Sequence, residues 1–166
     1  MINVSNIMVD SGIKWRKVVI KMLMGEYHHN IDDKQRIIIP SKFREELKEK
    51  VVITRGLEDC LFAYSLDEWN SITSKLKTLP FTKKDARSFM RIFMSGATVC
   101  EFDKQGRITI PSHLTNYASI KKECVVIGVG DRLEIWAQEE WNDFYNSNKE
   151  DLSDLADHLF EANFEE

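Results

Sequence analysis

The sequence predicts an α+β protein, mainly β, built from two pseudo-symmetric repeats with flanking helices. Three observations carry that prediction. The stretch Asp32-Asp33-Lys34-Gln35-Arg36-Ile37-Ile38-Ile39-Pro40 returns as Asp103-Lys104-Gln105-Gly106-Arg107-Ile108-Thr109-Ile110-Pro111. Both copies read Asp-x-x-x-Arg, a β-branched run and then Pro-Ser, and a repeated unit implies a repeated architecture. Short runs rich in Val, Ile and aromatic residues, bounded by turn residues, alternate with helical patterns. The order of these runs also recurs, with 37 residues from Asp32 to Trp69 and 38 from Asp103 to Trp141.

Residues 1–21 show no clean period and match nothing in the second copy, so they are expected to be a flexible N-terminal extension. Met22 and Met24 are candidate alternative starts. Residues 25–31 alternate weakly and read as a strand. Asp32 to Gln35 is a turn cluster, and Arg36 to Ile39 a short strand. Pro40 has no N–H for a ladder, so it ends the strand and can open a helix over 41–48. Val51 to Thr54 and Cys60 to Tyr64 are strands around a turn at Gly56 to Asp59. Ser65-Leu66-Asp67-Glu68 has capping-box form. Leu66, Trp69, Ile72, Leu76 and Leu79 follow at helical spacing, and Pro80 stops that helix.

A second helix is expected from Thr82, with Asp85 at its third position. Ala86, Phe89, Met90, Phe93 and Met94 form one apolar stripe opposite Lys83, Lys84, Arg87 and Arg91. Gly96 suits its C-terminal cap. This helix has no visible counterpart in the second copy. The first pattern then returns: Val125-Val126-Ile127 matches Val51-Val52-Ile53, Leu133 to Trp136 matches Leu61 to Tyr64, and Trp141 matches Trp69. Leu152, Leu155, Leu159 and Phe164 share one helical face near the C-terminus. The expected organisation is therefore an extension (1–21), a first repeat (22–80), a linker helix (81–96), a second repeat (97–147) and an acidic tail (148–166).

The chain has 166 residues, 43% hydrophobic and 30% charged, an ordinary soluble composition. No apolar run approaches the roughly 20 residues of a membrane span, so no membrane partner is expected. The net charge of −4 is unevenly placed: residues 150–166 hold seven acids and no Lys or Arg, whereas 22–149 hold 19 bases and 19 acids. Affinity for an anionic partner must then come from a local cluster. Cys60, Cys100 and Cys124 are far apart and form no C-x-x-C, so they read as buried thiols. A cytosolic protein is the default.

The repeated turn is the candidate site. An Asp carboxylate accepts N–H groups just ahead of it in a turn. An Arg at the start of the next strand can pair with that Asp and still project outward. The Asp–Arg pair thus fastens the turn, and it can also offer Arg and a neighbouring Lys to phosphates or to guanine O6 and N7. The two roles are compatible, because the Asp fixes the position of the Arg. Chemistry of other kinds finds little support. His28 and His29 point to opposite faces of a strand and do not converge on an ion. Ser41 and Ser112 read as helix caps, and Tyr64, Trp69, Trp136 and Trp141 as core. There is no nucleophile elbow, Walker loop or dinucleotide fingerprint. No catalytic, cofactor, metal or small-molecule site is expected.

Met24-Gly25-Glu26-Tyr27, the Asp32 to Pro40 motif, Thr54-Arg55-Gly56-Leu57, Ser95-Gly96-Ala97 and the Asp103 to Pro111 motif together resemble the MraZ family of bacterial transcription regulators. The resemblance runs from about Met22 to about Trp141. It implies two AbrB-like swapped-hairpin (β-barrel) units in one chain and a ring-shaped homo-oligomer. It also implies double-stranded DNA as partner, at G-containing direct repeats upstream of the division and cell-wall gene cluster, including the protein's own gene. Such a protein would be cytoplasmic and associated with the nucleoid. The DNA-binding residues implied are Lys34, Arg36, Lys104 and Arg107, with Asp32 and Asp103 fixing the loops. The first loop, with Lys34, is expected to be the principal DNA reader, and the second to have less basic charge and a larger part in assembly. AbrB-like hairpins also occur in antitoxins, so a protein-interaction module without sequence-specific DNA binding is the alternative. Gln35 stands where the family has Gly; if the turn needs positive φ, Gln costs on the order of 1 kcal/mol there.

Overall fold

The computed structural model describes residues 22–162. The expected extension 1–21 and Phe164 lie outside the described residues. The elements in order are β1 (Leu23–Asn30), β2 (Arg36–Ile38), α1 (Ser41–Leu47), β3 (Lys50–Arg55), β4 (Cys60–Ser65), α2 (Leu66–Leu76) and α3 (Lys84–Gly96). The second set is β5 (Thr98–Glu101), β6 (Arg107–Thr109), α4 (Ser112–Tyr117), β7 (Glu123–Gly130), β8 (Leu133–Ala137), α5 (Gln138–Asn148), a 3-10 turn (Lys149–Asp151) and α6 (Leu152–Ala162). This is an α+β chain, with most of its strands in one antiparallel sheet and helices packed around it.

Six strands form an antiparallel sheet in the order β1-β7-β8-β4-β3-β5, and β2 pairs with β6 in a separate ribbon. The repeats exchange strands. β1, which opens the first repeat, pairs along its length with β7 of the second, Leu23 opposite Gly130 through Asn30 opposite Glu123. β5, which opens the second, pairs with β3 of the first. Neither repeat completes its own sheet, so hydrogen bonding binds the halves into one unit.

The central strands β3, β4, β7 and β8 are buried on both faces, whereas the edge strands β1 and β5 are largely exposed. Along β4, Leu61 and Ala63 join a core with Ile37, Ile39, Phe43, Ile108, Ile110, Leu114 and Ile135, beneath the ribbon, α1 and α4. The alternate residues Cys60, Phe62 and Tyr64 face a second core with Phe93, Val125 and Trp136, onto which Trp69, Ile72, Leu76 and Trp141 pack from the helices. The period-2 alternation of strand side chains produces this division. Of the aromatics read as core, Tyr64 and Trp136 are buried, while Trp69 and Trp141 are partly buried and pack against them; Trp69 stacks on Phe93 at 5.5 Å between ring centroids. All three cysteines are buried free thiols. Burial pushes Cys100 and Cys124 up to about 11, which keeps both protonated at neutral pH.

Three sequence expectations are corrected. Ser41 and Ser112 are not caps. Pro40 and Pro111 occupy the N-cap positions without a side-chain bond, and each serine is the first helical residue. Proline supplies the extended φ of a cap, and its carbonyl accepts the first helical bond, from Phe43 N at 2.9 Å for Pro40 and from Leu114 N at 2.9 Å for Pro111. The α3 cap is Lys83, not Thr82. The strand match is also one residue out of step. Val52 lies opposite Tyr64, and Val125 lies opposite Trp136. With Tyr64 equivalent to Trp136, Val125 corresponds to Val52, not to Val51. A one-residue slip would have turned every side chain to the wrong face. The serine half of the capping box at Ser65 forms, with Glu68 N donating to Ser65 Oγ at 3.2 Å.

α3 also has a counterpart. α6 follows α5 as α3 follows α2, and Leu152, Leu155, Ala156, Leu159 and Phe160 repeat the spacing of Ala86, Phe89, Met90, Phe93 and Met94. The connections differ. Seven residues separate α2 from α3, enough for α3 to fold back onto β3. There Thr54 Oγ1 donates to Phe93 O at 2.6 Å, and Arg55 Nη1 donates to Ile92 O at 2.7 Å, satisfying carbonyls at the helix end. Gly96 is needed against Arg55, since a Cβ would lie 2.9 Å from its Nη1. The Thr-Arg-Gly and Ser-Gly-Ala motifs thus meet as a helix anchor. Only the 3-10 turn separates α5 from α6, and Leu152, Leu155 and Phe160 are left exposed.

Candidate nucleic-acid interface

The two Asp-x-x-x-Arg turns have the same internal bonding. Asp32 Oδ1 accepts from Lys34 N and Arg36 N, both at 2.9 Å, while Arg36 Nε donates to Asp32 Oδ2 at 2.7 Å. In the second copy Asp103 Oδ1 accepts from Gln105 N and Arg107 N at 2.9 Å, and Arg107 Nε donates to Asp103 Oδ2 at 2.7 Å. One carboxylate therefore closes the turn with one oxygen and aims the guanidinium with the other. Asp32 and Asp103 thus each bridge the two ends of their own turn. Arg36 also places Nη2 on Asp32 Oδ2 at 2.7 Å. Among the described residues these are its only side-chain hydrogen bonds, so further N–H groups can meet an outside acceptor.

The electrostatics follow the bonding. The Arg36 guanidinium, helped by backbone N–H groups, holds the Asp32 carboxyl down to about 2. Asp103 is lowered chiefly by the Arg107 backbone N–H. Arg36 is raised chiefly by its bond to Asp32, and it also feels Asp103 of the other loop, so the two turns share one field.

Gln35 takes the left-handed conformation despite its side chain, with φ 61°, against 75° for Gly106. The turn geometry is kept in the first copy at the cost of strain.

The ribbon brings the turns together. In its register Arg36 lies opposite Thr109, Ile37 opposite Ile108, and Ile38 opposite Arg107. Ile37 and Ile108 point into the core at 1% exposure each, so Arg36, Ile38, Arg107 and Thr109 share the outer face. Ile39 N donates to Gly106 O at 3.0 Å, and Ile110 N donates to Gln35 O at 2.8 Å, locking each turn to the opposite strand. Lys34 and Lys104 are exposed at the turns.

Sequence reasoning missed three residues of this region. Ile38 and Thr109 belong to the face only because of the β2–β6 register, which no local pattern specifies. Arg44 of α1 lies against the second loop: a Cβ on Gly106 would fall 2.5 Å from Arg44 Cζ. Arg44 Nε is held there by a 2.9 Å bond to Ile39 O. The expected charge ranking is thereby reversed. The first loop carries Asp33 beside Lys34, the second carries Lys104 without a second acid, and Arg44 adds to the second. The second loop is the more basic of the two.

His28 and His29 are not brought together. His28 bonds Gln138 Oε1 at 2.6 Å and Glu26 Oε1 at 2.8 Å, while His29 is partly buried, which lowers its pKa. No helix among the described residues is long and apolar enough to cross a membrane.

Comparison with protein families places these features in context. The family described as "MraZ protein, putative antitoxin-like" matches the chain twice in tandem, over residues 22–92 and 93–163. Each match takes in one Asp-x-x-x-Arg turn and one pair of central strands; the first ends within α3 and the second includes all of α6. The two halves that exchange strands in the sheet are thus two copies of one family unit, and the chain belongs to the MraZ family.

Proposed function

We propose that this protein is a sequence-specific DNA-binding transcriptional regulator whose reading surface is the outer face of the β2–β6 ribbon. The observation that carries the reading is the pair of Asp-clamped arginines, built alike and set diagonally on one face. A two-stranded ribbon fits the major groove, about 12 Å wide, and an arginine held at a fixed angle suits bidentate contact with guanine. Lys34, Lys104 and Arg44 supply phosphate contacts at the flanks. The family resemblance points to G-containing direct repeats upstream of the division and cell-wall gene cluster, including the protein's own gene. Under this reading the protein works in the cytoplasm, on the nucleoid. The protein acts by binding and carries out no catalysis.

One ribbon offers few charges, so affinity depends on several ribbons acting together. A ring of copies provides them. α3 presents Lys83, Lys84, Arg87 and Arg91, while α6 presents Asp154, Asp157 and Glu161 beside its exposed Leu155. Complementary helices at the ends of the two repeats, one basic and one acidic, favour head-to-tail contacts, which close into rings. The exchanged strands support the swapped-hairpin barrel implied by the resemblance; the described strands form an open sheet and a separate ribbon.

The test is a gel-shift titration on the DNA upstream of the protein's own gene. Arg36→Ala and Arg107→Ala are each expected to weaken binding at least about five-fold, given about 1–3 kcal/mol per bidentate pair, with solution mass unchanged. Equal retention by wild type and both variants would overturn the reading. An antitoxin-type interaction module, favoured by the family's description, would instead leave DNA binding absent or indifferent to sequence.

A further inference from the structure

We infer that Ile38, with Thr109 as its pseudo-symmetric partner, is a specificity-determining residue that reads the 5-methyl group of thymine beside the guanines held by the arginines. The inference rests on the DNA-binding reading and adds to it a second kind of base recognition. It begins with the register. The outer face of the ribbon is a rectangle: Arg36 and Thr109 form one edge, Ile38 and Arg107 the other. Arginines therefore occupy one diagonal, and Ile38 and Thr109 the other.

Ile38 is 45% exposed, while Ile37 and Ile39 on either side are each 1% exposed. A single exposed isoleucine is unremarkable on a protein surface. This one stands directly across from Arg107 and two residues along its own strand from Arg36. Opposed Cβ atoms lie about 5 Å apart, and residues two apart on a strand about 6.6 Å apart. Successive bases rise about 3.4 Å along the duplex. When an arginine reaches a guanine, Ile38 thus falls over a base one or two steps away. An aliphatic side chain there has one favourable partner on the floor of the major groove, the thymine methyl, because the other edges present bare donors and acceptors.

Thr109 occupies the equivalent place in the second copy, and its methyl allows the same contact with its hydroxyl as an added donor or acceptor. The pattern read by one ribbon is then mixed: guanines on one diagonal, thymines on the other. The Asp–Arg clamps hold the arginines, and β2–β6 pairing holds Ile38 at fixed offset from both.

The probe is a duplex selected by the wild-type protein from a random pool, with each thymine replaced in turn by uracil, which removes only the methyl. At one or more positions wild type is expected to lose about four-fold in affinity, the value of burying one methyl-sized group. Ile38→Ala is expected to lose a similar factor on the thymine duplex and to become indifferent to uracil at one of those positions. Thr109→Ser should do so at another. Selected sequences that bind wild type equally with uracil at every position would overturn the inference and leave the DNA-binding reading standing. So would an Ile38→Ala variant that keeps full sensitivity to uracil. Selection that enriches no sequence at all would overturn both.

Discussion

Exchanging the residue at one turn position between the copies is expected to give effects unequal in size. Gln35 and Gly106 both sit at positive φ, 61° and 75°. Left-handed strain on a side-chain-bearing residue is about 1–2 kcal/mol, and glycine's extra freedom when unfolded offsets about 0.4–1 kcal/mol of it. Gln35→Gly is therefore expected to stabilise by about 0.5–1 kcal/mol. It also removes Gln35 Oε1, which is buried with no hydrogen-bond partner among the described residues. Gly106→Gln carries the same strain and a further loss. Its Cβ would lie 2.5 Å from Arg44 Cζ and 2.6 Å from Nε, so the guanidinium must leave and break its 2.9 Å bond to Ile39 O. A hydrogen bond from a charged donor contributes about 1.5–3 kcal/mol, giving a total cost of about 2–4 kcal/mol. For a chain of this size the melting temperature moves about 2–4 °C per kcal/mol. Gln35→Gly should raise it by about 1–4 °C and Gly106→Gln lower it by about 5–15 °C. Thermal unfolding of both variants, and of Gly106→Gln in an Arg44→Ala background, measures this. Removing Arg44 first should cut the Gly106→Gln penalty to about 1 kcal/mol. A penalty unchanged by Arg44→Ala, or one that mirrors the Gln35→Gly gain, would refute the reasoning. The first loop tolerates Gln because the residue equivalent to Arg44 in the second repeat is Thr115, a short, buried side chain.

The acid clamp has a pH signature. Asp32 is depressed to about 2 in the folded chain. Its contribution is fully present above the ordinary value of about 3.9 and is lost as pH falls through about 2. Carboxyl NMR of the wild type should show Asp32 titrating near 2, and Arg36→Ala should move it upward. An Asp32 that titrates at its ordinary value in the wild type would remove the clamp. For assembly, Leu155→Asp on α6 should lower the solution mass by light scattering while leaving the circular dichroism spectrum of the sheet unchanged. An unchanged mass would move the contact between copies away from α6.

Local features were legible in the chain. The Asp-x-x-x-Arg turn closes within five residues, so its bonds depend on residue types at fixed spacing, and both copies form it alike. The Ser65 cap, the stripe on α3 and the alternation along β4 are equally local. The charge ranking of the loops failed partly on residues in plain view, since Asp33 offsets Lys34 while Lys104 has no second acid, and partly because Arg44 reaches the second turn from another element, eight residues beyond the first motif's arginine and far from the second. The missing counterpart of α3 was overlooked because α6 follows a shorter connection, which displaced it from the expected offset.

By itself the sequence determined a duplicated α+β chain and two arginines, each tied to an aspartate. Tertiary structure decided how those pieces act on one another. Strand exchange joined the repeats, and the β2–β6 register set both arginines, Ile38 and Thr109 on one face. The division has a physical cause. A turn is specified by contacts within a few residues, whereas the partner and register of a strand are chosen by whole-sheet pairing and burial, which distant segments supply.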